Sequence, residues 1–326
     1  MKLKRKIKFG LKYLIGYKIQ GIGINLTRRC DLSCPYCKIK DNSSKEDEIS
    51  VDQWKKIINK FRKFKHSHFI FTGGEPLLYE GIFDLIDYTS KSSLTSLITN
   101  TNQLNKKNFH KLKSLDFLTF SCDTTIENGS FEKNSLDKLN LIQHMSKKLN
   151  IKTSTIITIT SKNIKEVPKI IKNLKDYEIS ILLSLIHSSK EKKYEFRSYV
   201  PELEFKTNEE IKDLENLVKK IKKMKKKGYK IAENQDYLNN IVSYAKGKYK
   251  IKCPATNPFF TIDYDGYIKP CHDIPASKIN ALEFKNYKKM KEQVASKIPK
   301  KCNCFYDCYF NNQIKIKNII NQFFNR

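Results

Sequence analysis

The 326-residue sequence has no uninterrupted apolar run long enough to cross a membrane, which takes about 20 residues. Its opening, MKLKRKIKFGLKYLIGYKIQ, is basic but lacks a compact apolar stretch followed by a small-residue cleavage site. It does not read as a secretion signal. Cytoplasmic residence is the expectation that follows, and thiols there stay reduced. Disulfides are thereby set aside as the explanation for nine cysteines, an odd number. Acidic residues are also in deficit: 34 Asp and Glu face 63 Lys and Arg, a formal charge of +29. Such an excess marks a nucleic-acid partner only when it is localised. Here the lysines run along the whole chain, and glycine (11) and proline (9) are scarce, a pattern of compositional bias. Nucleic acid is the disfavoured partner on charge alone. An apolar fraction of 39% still suffices for a core at this length. At roughly 150 residues per domain, the length allows about two domains.

Residues 1–20 form a basic, loosely amphipathic segment, with Leu11, Leu14 and Ile15 able to share a helical face. A surface helix is the first reading, and peripheral membrane contact the weaker alternative. From Gly21 to His187 short apolar runs alternate with helical stretches. The strands expected are GIGINL, HFIFTGG, TSLITN, FLTFSCD, KTSTIITIT and SILLSLIH. Between them lie the expected helices SVDQWKKIINKFRKF (N-cap Ser50), GIFDLIDYTSKS, NKKNFHKLKS, NSLDKLNLIQHMSKKLN and KEVPKIIKNLKDY. Six such units predict an α/β fold, a partial (β/α)6 TIM-like barrel with parallel strands, whose ligands gather at the strand C-terminal ends. The core is expected over residues 21–195 and a helical connector over 196–250. In the connector, TNEEIKDLENLVKKIKKMKKKG reads as one helix capped by Thr207 or Asn208 and stopped by Gly228. A small second domain is expected over 251–312, where the character changes and five cysteines appear, followed by a tail at 313–326.

Cys30, Cys34 and Cys37 follow the first strand directly, as CDLSCPYC. Three thiolates in one short loop can hold three corners of an iron–sulfur cube and leave the fourth iron open. Zinc sites more often pair cysteines as CxxC, with a second pair elsewhere.

This CxxxCxxC, with an aromatic residue before its last cysteine, resembles the signature of the radical S-adenosylmethionine (radical SAM) superfamily. The resemblance extends to Gly73-Gly74-Glu75-Pro76 after the second strand, similar to the family's GGE motif. It implies a 4Fe-4S cluster on Cys30, Cys34 and Cys37, with S-adenosylmethionine (SAM) bound at the open iron. Tyr36 would lie near the adenine, and the Gly73–Pro76 backbone would meet the methionyl amino group. Glycine lets the main chain approach a ligand closely. Thr99-Asn100-Thr101-Asn102 resembles the family's TNG segment with Thr101 in place of glycine, which leaves Asn100 a less secure cofactor contact. Ser121 and Asp123 end the fourth strand, where many relatives carry Ser-x-Asp. A ribose or substrate contact is one reading, and a turn or cap is the other. Cys122 sits in an apolar run and reads as a small buried hydrophobe.

The C-terminal part carries Cys253, Cys271, Cys302, Cys304 and Cys308. The spacing from Cys253 through Gly266 to Cys271 is similar to the opening of the SPASM and twitch extensions of the same superfamily. FFTIDYDGYIKPC between them has the pattern of a hairpin turning at Asp265–Gly266. Five thiols can complete one auxiliary 4Fe-4S cluster but not two. Cys253, Cys271, Cys304 and Cys308 are the favoured ligands and Cys302 the competitor. A four-thiolate zinc site fits the same spacing.

The family's chemistry is reductive cleavage of SAM to a 5′-deoxyadenosyl radical, which takes a hydrogen atom from the substrate. The resemblance implies a peptide or small-molecule substrate, with peptide side-chain modification or alcohol oxidation as the leading reactions. It also implies an electron donor such as flavodoxin or ferredoxin. An RNA-modifying enzyme is the alternative prompted by charge, and a non-catalytic electron-transfer protein is the non-enzymatic one. Arg28 and Arg29 flank the cysteine loop and are read either as favouring a reduced cluster or as solvated surface charge. His187 reads first as a packed histidine.

Overall fold

The computed structural model describes residues 20–39, 45–122, 126–127, 130–131, 133–249, 253, 255–256, 259–302 and 304–306. The expectations for the basic N-terminal segment, Asp123, Cys308 and the tail at 313–326 lie outside the described residues.

Six parallel strands form the body of the sheet: β1 (Gln20–Asn25), β2 (His66–Thr72), β3 (Leu94–Thr99), β4 (Phe117–Ser121), β7 (Lys152–Ile159) and β8 (Ile179–Leu185). They pair in that order, and a two-stranded ribbon, β5 (Ile126–Glu127) with β6 (Ser130–Phe131), stands apart. The sheet does not close. It is the expected partial barrel, with helices α1 (Val51–Lys63), α2 (Ile82–Ser90), α3 (Lys133–Leu149) and α4 (Val167–Asn173) in the crossovers. A hairpin of β9 (Phe259–Ile262) and β10 (Ile268–Lys269) extends the same sheet, β9 lying parallel to β1. Gly23 allows that pairing, since a Cβ there would stand 3.0 Å from both the Phe259 ring and Thr261 Oγ1.

Local chemistry explains the helix starts. Ser50 caps α1 in a capping box with Gln53, and Thr207 caps α5 (Asn208–Lys226) in another with Glu210. Trp54, Ile57, Ile58 and Phe61 of α1 are fully buried against the sheet. Each contributes about 1.5–3 kcal/mol by burial. One expected helix differs. NKKNFHKLKS forms only a short 3₁₀ turn at Phe109–Leu112. The Asn105 and Asn108 side chains accept hydrogen bonds from the backbone N–H groups of Lys107 and Asn105 at 2.9 Å. This local bonding competes with the helical ladder.

The strands have one covered and one open face. Burial alternates strictly along β7 and closely along β8. Ser154, Ile156, Thr158, Leu182 and Ser184 are only half-buried on the face away from the core. Parallel sheets normally bury both faces, so this open inner face is the concave lumen of the partial barrel. After β8 the chain runs through a strap at 194–198, then α5, α6 (Gln235–Ala245), the hairpin and α7 (Tyr287–Ala295).

Candidate functional site

The loop after β1 is held against the loop after β2 by main-chain bonds. Gly74 N–H donates to Thr27 O at 2.7 Å, and Glu75 N–H donates to Arg29 O at 2.8 Å. The two glycines make this approach feasible. Gly73 has φ +131, and a Cβ on Gly74 would fall 2.7 Å from Arg29 C and 2.8 Å from Arg28 O. The close approach at the glycines is thus to the cysteine loop itself, which positions Cys30, Cys34 and Cys37. Within the loop, Cys37 N–H bonds to Cys34 O at 3.1 Å, and Leu32 N–H bonds to Cys30 Sγ at 3.5 Å. Pro76 opens a 3₁₀ turn and is buried.

Glu75 is the strut of this end of the barrel. It is fully buried, and Oε1 accepts from Thr99 Oγ1 at 2.7 Å and from Leu77 N–H at 3.0 Å, while Oε2 accepts from Asn100 N–H at 2.7 Å. Burial raises its pKa against the pull of these bonds. Asn100 reaches back to the cysteine loop, donating from Nδ2 to Asp31 Oδ1 at 2.6 Å, and Gln103 donates to Asp31 Oδ2 at 2.9 Å. Desolvation works against the Asp31 carboxylate, yet the Gln103 and Asn100 bonds hold its pKa below the usual range. Thr101 stands at φ +66, the left-handed conformation that glycine takes readily. Ser121 is exposed at the end of β4 in register with Ile156. Tyr36 packs half-buried at the core edge. The structure therefore gathers Cys30, Cys34, Cys37, Tyr36, Gly73, Gly74, Glu75, Pro76 and Asn100 around the C-terminal ends of β1–β3, with Ser121 beside them on β4.

Arg28 and Arg29 are ion-paired. Arg29 grips Glu48 through Nε and Nη2 at 2.8 and 2.9 Å. Arg28 pairs with Asp263 at 2.8 Å and with Glu195. These contacts tie the cysteine loop to the hairpin and the strap. Two strap bonds continue the tie: Ser198 N–H donates to Tyr36 O at 3.2 Å, and Lys38 N–H donates to Phe196 O at 3.1 Å. Cys37 and Arg197 form an isolated antiparallel bridge.

The second thiol group lies beyond the strap. Cys302 lies within side-chain reach of Cys253 and Cys304 and within electrostatic reach of Cys271. Cys302, placed second in the sequence reading, thus stands among the thiols. Cys271 and Cys304 are buried, and Cys253 and Cys302 partly so. All eight described cysteines, including buried Cys122, are thiols rather than disulfides. Among the described residues, no group of three or more His, Cys, Asp or Glu side chains is arranged to hold a metal ion directly. The donor chemistry fits clusters on two counts. Three partly exposed thiols on one loop leave a corner open, and Cys302 with Cys253, Cys271 and Cys304 makes four thiols, the number a cube takes. His187 is the packed histidine expected: Nε2 accepts from Phe305 N–H at 2.8 Å, and the ring stacks on Tyr306 at 4.1 Å between centroids.

The buried charges were missed in sequence. Asp263, Lys269, Arg197 and Asp273 are all 4% exposed or less. The signal was Asp263 directly after the apolar strand β9 and Lys269 within β10.

Comparison with known proteins gives the same class. The radical SAM superfamily profile matches residues 24–174. Fe-coproporphyrin III synthase of Methanosarcina barkeri is 28% identical over 162 residues, covering 48% of this chain and 41% of that protein. PqqA peptide cyclase of Bradyrhizobium diazoefficiens is 32% identical over 93 residues, covering 27% and 24%. The matches to these two relatives span less than half of their length. A probable GTP 3′,8-cyclase of Methanocaldococcus jannaschii is 25% identical over 280 residues, covering 80% of this chain and 87% of that protein. In fold, the chain resembles Streptococcus suis SuiB bound to its precursor peptide SuiA, with a TM-score of 0.63 at 15% identity over 88% of this chain and 68% of that one. The matched residues 24–174, which hold both the three-cysteine loop and the Gly73–Pro76 turn, are a radical SAM domain. The cofactors of that family are a 4Fe-4S cluster and SAM. No helix among the described residues is long and apolar enough to cross a membrane.

Proposed function

We propose that this protein modifies a peptide substrate by radical SAM chemistry, with one auxiliary 4Fe-4S cluster assisting. The observation that carries the reading is the three-cysteine loop clamped by Gly74 and Glu75 at the mouth of an open, half-polar lumen. When bound, the cluster and SAM together supply a 5′-deoxyadenosyl radical able to take hydrogen from an unactivated carbon.

The residues of this chain hold and orient. Cys30, Cys34 and Cys37 are the ligands of the first cluster. Gly74 and Glu75 use their N–H groups on the cysteine loop, so carbonyl oxygen is what this turn offers to an amino group. Tyr36, Asn100, Ser121 and Asp123 are the further contacts for SAM. The lumen wall on β7 and β8 offers hydroxyl and aliphatic groups (Ser154, Ile156, Thr158, Ser184), which suits an uncharged side chain. Cys253, Cys271, Cys304 and Cys308, with Cys302 as competitor, are the auxiliary ligands. The PqqA peptide cyclase match and a fold shared with a peptide-bound neighbour support a peptide over an alcohol or an RNA. Flavodoxin or ferredoxin is the expected donor, in a reducing cytoplasm.

The test incubates the reduced, anaerobically reconstituted full chain with SAM and short peptides encoded beside its gene. A peptide mass change that tracks 5′-deoxyadenosine supports the reading. SAM cleavage that no such peptide stimulates, with stimulation by an RNA or an alcohol instead, refutes it.

A further inference from the structure

Arg197 and Asp273 form a buried ion pair with side chains 4% and 3% exposed. Its position follows from three independent contacts. Asp273 lies two residues past Cys271, and its carbonyl accepts from Glu195 N–H of the strap at 2.8 Å. Tyr306, two residues past Cys304, donates from its hydroxyl to Asp273 Oδ2 at 3.2 Å. The Arg197 guanidinium lies over the Tyr194 ring at 3.8 Å and 5.5 Å from the centre of Tyr306. The pair therefore sits against the Cys271 and Cys302–Cys304 segments, while the Arg197 backbone is bridged to Cys37 of the other cysteine loop. Charges so enclosed are screened little by water or salt.

We infer that Arg197 and Asp273 set the reduction potential of the auxiliary cluster, the arginine raising it and the aspartate lowering it. The inference rests on the auxiliary-cluster reading above. One-electron reduction adds one negative charge to the cluster and its four thiolates. A fixed buried cation stabilises that added charge and a fixed anion opposes it, and net charge is among the determinants of cluster potential. As a balanced pair they hold an intermediate value, and removing either one unbalances the site. Both side chains act through the field they impose, so they are positioning and charge-setting residues.

The test uses the full chain, reconstituted with iron and sulfide, titrated with dithionite and followed by electron paramagnetic resonance. Iron and sulfide are counted first, to establish that each variant keeps two clusters. Arg197→Gln is expected to shift the auxiliary potential to more negative values, and Asp273→Asn to more positive ones. The N-terminal cluster should move less than the auxiliary one in both. Arg197→Lys, which keeps the charge, should stay close to wild type. The double variant Arg197→Gln/Asp273→Asn leaves no uncompensated buried charge. It should fold even where a single variant does not, and its potential should return toward wild type. Shifts in the same direction for both single variants, or unmoved potentials with two clusters present, overturn the inference alone. So does a double variant displaced as far as a single one. Wild-type protein that carries zinc, or no second cluster, overturns it together with the auxiliary-cluster reading.

Discussion

Gly74→Ala isolates the contact on which the first site is built. Gly74 is not held in the left-handed region, so the added methyl costs little in backbone conformation. What it meets is main chain: it would lie 2.7 Å from Arg29 C and 2.8 Å from Arg28 O, well inside ordinary contact. Backbone cannot swing aside as a side-chain tip can, so the cysteine loop must move away. That movement breaks Gly74 N–H to Thr27 O and Glu75 N–H to Arg29 O, now 2.7 and 2.8 Å. Leaving two such buried groups unpaired costs about 1–3 kcal/mol each, so a loss of about 2–6 kcal/mol is expected. Gly228→Ala is the control. Gly228 has φ +86 with nothing within 4 Å of an added Cβ, so it tests conformation without crowding, at about 1–2 kcal/mol. Urea unfolding of the metal-free chain measures stability, and iron per chain after reconstitution measures the site. Gly74→Ala should lose stability and the N-terminal cluster together, whereas Gly228→Ala should lose only stability. Gly74→Ala within about 0.5 kcal/mol of wild type, with full iron, would refute the claim that this turn packs the cysteine loop.

Glu75→Gln keeps shape but must point an NH₂ group at one of the three donors the carboxylate now accepts, Thr99 Oγ1, Leu77 N–H and Asn100 N–H. It should cost about 1–3 kcal/mol in urea unfolding, and an unchanged midpoint would contradict the strut role. Desolvation pushes His68 from 6.5 down to about 4 against the pull of Asp116, beside a 2.7 Å contact with Ser96 Oγ. The folded chain thus excludes a proton that the unfolded chain binds. The stability linked to His68 is whole above pH 6.5 and is lost as pH falls from 6.5 towards 4. His68→Gln should flatten the wild-type decline over that window, and parallel profiles would remove His68 from the account.

The parts legible in the sequence were those that local chemistry decides. Apolar runs such as HFIFT and KTSTIITI, and the caps Ser50 and Thr207, announce strands and helix starts through neighbours a few residues away. The first site was legible because its elements follow consecutive strands, so chain order maps onto position around the barrel. NKKNFHKLKS misled because its apolar spacing is helical while Asn105 and Asn108 bind the backbone first. The joining of β9 to β1 and the pairing of Arg28 with Asp263, 235 positions apart, depend on contacts that no local window contains. Spacing likewise does not say which thiols of a CxCxxxC run face Cys253.

The most direct measurement is 5′-deoxyadenosine released from SAM by the reduced, reconstituted chain, compared with the variant in which Cys30, Cys34 and Cys37 are all alanine. Wild type should release it, and the triple variant should release none while keeping iron at its C-terminal cysteines. Release that persists in the triple variant, or wild type that never cleaves SAM though loaded with iron and sulfide, would contradict the account.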